Sequence, residues 1–82
     1  MNPTEKLTTF AQTIITVNYK SHPLYNTFLN EWEFKINFQN QIVEELYLFD
    51  EDQNIIITHK IEDDLKHKYF NFLKSIGIIN NT

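Results

Sequence analysis

The sequence predicts a two-layer α+β domain, a three-stranded antiparallel β-meander packed with three helices in the order α-α-β-β-β-α. Three observations carry that expectation. Apolar residues recur at helical spacing near both ends of the chain, they alternate with polar residues over 32–38, and residues 41–61 read as a hairpin that is apolar on both faces. Three amphipathic helices can together cover one face of such a sheet. The opposite face is then left to solvent or to a partner.

The first helix is specified at its start. Asn2-Pro3-Thr4-Glu5 offers a capping side chain, a proline at the first helical position and an acid at the third, and Leu7, Phe10, Ala11, Ile14 and Ile15 form one apolar stripe. The stripe ends at about Tyr19. Ser21-His22-Pro23 breaks the pattern, and Leu24, Tyr25, Phe28, Leu29 and Trp32 predict a second, shorter helix to about Glu31.

From Trp32 the period changes to two: Trp32, Phe34, Ile36 and Phe38 alternate with Glu33, Lys35 and Asn37, the mark of a half-buried strand. Gln39-Asn40 turns the chain into a second strand over 41–49. Ile42, Val43, Leu46 and Phe49 would also suit a helix, but the β-branched run Ile55-Ile56-Ile57-Thr58 needs a strand partner. A symmetric turn through Asp50-Glu51-Asp52-Gln53 sets Leu48 opposite Ile55, Leu46 opposite Ile57 and Ile42 opposite Ile61 on the core face, leaving Val43, Tyr47, Phe49 and Ile56 on the other.

The last helix opens on Glu62-Asp63-Asp64, acids at the positive end of its dipole, with Lys74 near the negative end. Leu65, Tyr69, Phe72, Leu73 and Ile76 line its apolar face. Gly77 suits the left-handed position that closes a helix, and Ile78 would then touch Leu73. Asn80-Asn81-Thr82 is expected to fray.

Composition limits the function. Residues 1–82 make a single small interaction domain, with room for one core and little for an enclosed pocket. There is no Cys, so neither a disulfide framework nor a Cys-based zinc site is available. All seven cations are Lys, and a net charge of −4 repels the nucleic-acid backbone; direct DNA or RNA binding is not expected. No apolar run has the length of a membrane span, and the N-terminal residues do not resemble a signal peptide, so the expected location is cytoplasmic. The wealth of Asn, Ile, Lys, Phe and Tyr is what A·T-rich codons produce and points to a low-GC bacterium, its phage or a plasmid.

Three constellations invite chemical readings. Asp50, Asp52 and Asn54 alternate like the start of a calcium loop, but Ile55 and Ile61 stand where that loop needs Gly and a bidentate Glu. A solvated acidic tip is the better reading. His22, His59 and His67 have only generic spacing for a metal site, so no metal or other cofactor is expected; His59 is instead placed across the hairpin from Glu44, a pair that would ease its protonation, and His67 beside Asp63. Catalysis lacks its parts. Ser21 and Ser75 are the only serines, a single Gly rules out a phosphate loop, and Glu44-Glu45 would point to opposite faces of a strand.

The expectation is therefore a non-enzymatic acidic domain that binds another protein stoichiometrically, as an accessory or inhibitor protein of a phage, plasmid or toxin-antagonist system. Tyr47, Phe49 and Ile56 would make the contact, and Asp50, Glu51 and Asp52 would guide a partner with a basic surface. Alternatives are a self-assembling structural homodimer whose sheets stack, an edge strand at 33–38 or 54–61 that pairs with another chain, and a small-ligand or metal binder.

Overall fold

The computed structural model describes residues 2–79. Its elements are α1 (Pro3–Tyr19), α2 (Tyr25–Phe28), β1 (Trp32–Asn37), β2 (Ile42–Phe49), β3 (Ile55–Lys60) and α3 (Asp63–Ser75). The order is the predicted one, and the strands form one antiparallel sheet with β2 in the middle.

The start of α1 and the end of α3 follow their sequence signals. The Asn2 side chain accepts a hydrogen bond from the Glu5 N–H at 2.8 Å, and Pro3 fills the first helical position, where no N–H is required. At the end of α3, Gly77 takes φ +89° and donates to the Lys74 carbonyl at 3.1 Å, while Ile78 donates to the Leu73 carbonyl at 3.0 Å. These two bonds are a complete Schellman termination, and Ile78 packs on the cluster that contains Leu73. The tail expected from Asn80 onward lies outside the described residues.

α2 is a single turn and stops short of the predicted Glu31. The reason is the sheet: the Glu31 carbonyl accepts from the Phe49 N–H at 3.0 Å, which commits the chain to extended geometry before β1 begins. Phe28, fully buried, joins Ile14, Ile15, Leu46 and Leu48 in one apolar cluster. A second cluster unites Val43 and Ile61 with Phe70, Leu73 and Ile79. Phe10, Phe34 and Tyr69 border both, with Phe10 stacked on Phe34 at 5.7 Å and edge-on to Tyr69 at 4.9 Å. All three helices thus lie on one side of the sheet, and each fully buried side chain there contributes about 1.5–3 kcal/mol by leaving water.

Two bulges change the predicted faces. Lys35 pairs with Glu45 and Ile36 with Val43, so Glu44 is an extra residue in β2 and the alternation slips by one. Val43, expected on the uncovered face, is therefore in the core at 0% exposure, and Ile42, expected in the core, belongs to neither core cluster.

The second bulge is at Ile56. The Asp50 N–H donates to the Asn54 carbonyl and the Gln53 N–H to the Asp50 carbonyl, closing a three-residue loop with Gln53 at φ +68°. Phe49 then pairs with Ile55, Leu48 with Ile57 and Leu46 with His59. The symmetric register fails because the loop is one residue shorter than expected and Ile56 is inserted above it. Ile55, predicted to be core, is 52% exposed.

Candidate functional site

The uncovered face of the sheet is built from crossing rows. Glu33, Tyr47 and Thr58 are aligned across β1, β2 and β3, and Lys35, Glu45 and Lys60 form the next row. Paired residues share a face, so these side chains point away from the helices. The Glu44 bulge adds a further acid: the Lys35 Nζ lies 3.8 Å from its Oε2. Glu44 and Glu45 consequently act on the same side, contrary to the alternation expected of a regular strand. The neighbouring Glu45 carboxylate, then burial and the carboxylates of Glu44 and Glu33, raise the Tyr47 phenol above its ordinary value.

Towards the tip the face turns apolar. Phe49 is half-buried, its pair Ile55 is 52% exposed and the bulged Ile56 is 36% exposed. The structure therefore brings the predicted Tyr47, Phe49 and Ile56 onto one surface and adds Ile55, which sequence reasoning assigned to the core. A signal for Ile55 was present in Asp50 and Asn54, residues that favour a short side-chain-bonded loop over a symmetric turn.

The tip itself divides into two roles. Asp50 Oδ1 accepts from the Asp52 and Asn54 N–H groups, each at 2.9 Å, so its carboxylate organises the loop. Glu51 and Asp52 are exposed and leave their charge at the end of the apolar patch.

The histidines are not gathered. His22 Nδ1 accepts from the Leu24 N–H at 3.1 Å, and His67 Nδ1 donates to the Gln41 carbonyl at 3.1 Å. Asp63, expected to pair with His67, instead meets Lys66 at 3.1 Å. His59 lies opposite Leu46 on the helix side, where its Nδ1 shares a 2.7 Å hydrogen bond with the Tyr19 hydroxyl. The Glu44–His59 pair thus does not form, because Glu44 sits at the bulge and its carbonyl receives the Ile61 N–H. Burial lowers the His59 pKa, the reverse of the expected direction, and Glu62 offsets this in part. Among the described residues no group of three or more His, Cys, Asp or Glu is arranged to hold a metal ion, and no helix is long and apolar enough to cross a membrane.

Fold and surface together define a small two-layer α+β domain with helices on one side of its sheet and an aromatic and charged surface on the other. The chain matches no protein-family model, and no curated protein or solved structure shows significant similarity to it.

Proposed function

We propose that this domain acts by binding one other protein stoichiometrically, in an accessory or inhibitory role, through the uncovered sheet face. The observation that supports this reading is the placement of all three helices on the opposite side, which leaves Tyr47, Phe49, Ile55 and Ile56 accessible on the uncovered side of the sheet. An aromatic residue rimmed by charges is the composition of a binding hot spot. The exposed carboxylates of Glu51 and Asp52 favour a partner with a Lys- or Arg-rich surface and would act mainly on association rate.

The test is affinity capture from the source cells with the full chain, in parallel with Tyr47→Asp and with Glu51→Lys/Asp52→Lys. A single protein retained at one-to-one stoichiometry by the native chain and lost with Tyr47→Asp is the expected result. The double charge reversal should slow its association and reduce the dependence on salt. Capture that is indifferent to both variants removes this face from the function.

A further inference from the structure

The sheet has two open edges, and they differ. Because the Glu31 carbonyl faces β2 and receives the Phe49 N–H, alternation turns the backbone groups of Glu33 and Lys35 towards β2 and those of Trp32, Phe34 and Ile36 outward. No backbone or side-chain hydrogen bond among the described residues engages those three outward N–H groups. At the other edge, β3 is distorted by its bulge at Ile56 and carries Lys60, both of which discourage pairing. The bulge next to β1 lies in β2, so β1 keeps an unbroken ladder edge.

We propose that β1 is a self-pairing edge: two copies of this chain join antiparallel about a two-fold axis at Phe34, merging their meanders into one six-stranded sheet. The strand reads Trp32-Glu33-Phe34-Lys35-Ile36, which reverses into its own complement. With Phe34 opposite Phe34 of the second copy, Trp32 meets Ile36 and Glu33 meets Lys35, each contact occurring twice by symmetry. All three outward residues then exchange their backbone hydrogen bonds, and the oppositely charged residues fall on the closer, non-hydrogen-bonded positions.

Charge fixes this register against its neighbours. Only even shifts keep outward residues opposite outward residues, and a shift of two in either sense sets Glu33 against Glu33 or Lys35 against Lys35 of the second copy. Lys35 is free to take part: its side chain is 52% exposed and its contact with Glu44 is long, at 3.8 Å. Trp32, Phe34 and Ile36 are half-buried against the helices, and the second copy would cover their remaining exposed edges.

Sedimentation velocity from micromolar to millimolar protein, with Trp32 fluorescence as an internal reporter, tests this. The native chain should show a reversible monomer–dimer equilibrium with a shift in Trp emission. Glu33→Lys and Lys35→Glu should each weaken dimerisation about tenfold or more, because each sets like charges opposite one another twice. An equimolar mixture of the two variants should recover a dimer, since every such contact is again between opposite charges. In the native dimer the amides of Trp32, Phe34 and Ile36 should exchange more slowly than in the dilute monomer, a readout that needs no variant to fold. A native chain that stays monomeric, a dimer with a freely exchanging Phe34 amide, or a mixture no better than its components overturns the proposal.

Discussion

The Tyr19 hydroxyl and the His59 Nδ1 meet at 2.7 Å, a contact between the end of α1 and the end of β3 that spans 40 residues of sequence. It fixes the imidazole on the helix side of the sheet, beside Ile14, Leu65 and Tyr69, where burial disfavours its charged form.

That contact predicts a pH dependence. The folded His59 pKa is lowered from its ordinary value of 6.5, so the unfolded chain takes up a proton first. Its contribution to stability is complete above that value and is lost as pH falls below it towards the lower folded pKa. Urea unfolding should give a smaller free energy at about pH 5.5 than at about pH 8, still above the ordinary carboxylate range. His59→Gln should flatten this difference; an unchanged slope would locate the effect elsewhere.

The Glu44 bulge predicts an asymmetry between two residues four apart in β2. Val43 is fully buried, so Val43→Asp should cost about 3 kcal/mol or more and unfold much of the population. Tyr47→Asp, on the uncovered face, should change stability by no more than about 1 kcal/mol. Thermal melts of the two variants decide it, since a regular strand would place these residues on the same side.

The tip loop predicts changes of opposite sign at two residues three positions apart. Asp50→Ala removes the acceptor of two backbone N–H groups and should destabilise by about 1 kcal/mol, while Asp50→Asn, which keeps an acceptor oxygen, should cost less. Gln53 holds φ +68°, and Gln53→Gly should stabilise by about 1 kcal/mol. Chemical denaturation midpoints give both values.

The end of α3 depends on its glycine. A Cβ at Gly77 would meet the Pro3 ring at an ordinary 3.7 Å, so Gly77→Ala is limited by its φ of +89° and not by space. The expected cost is about 1 kcal/mol. Loss of amide protection at Ile78 and Ile79 in hydrogen exchange would accompany it, because both donate to the Leu73 carbonyl.

Which side chains share the uncovered face was legible only in part. Tyr47 and Phe49 follow from simple alternation, but Val43 and Ile55 were exchanged between the two faces by bulges, whose extra residues carry no distinctive local sequence. The charged alternation of β1 was plain, yet its self-complementarity matters only once Trp32, Phe34 and Ile36 are known to turn their backbones outward.

The sequence by itself determined the elements, their order, the start of α1 and the end of α3, because capping residues, a left-handed glycine and hydrophobic period act within a few residues of chain. The tertiary structure decided the short α2, the strand registers, the partner of His59 and the side on which all three helices pack. These outcomes depend on pairing and burial between distant segments, where inserting one residue reverses the face of every side chain that follows.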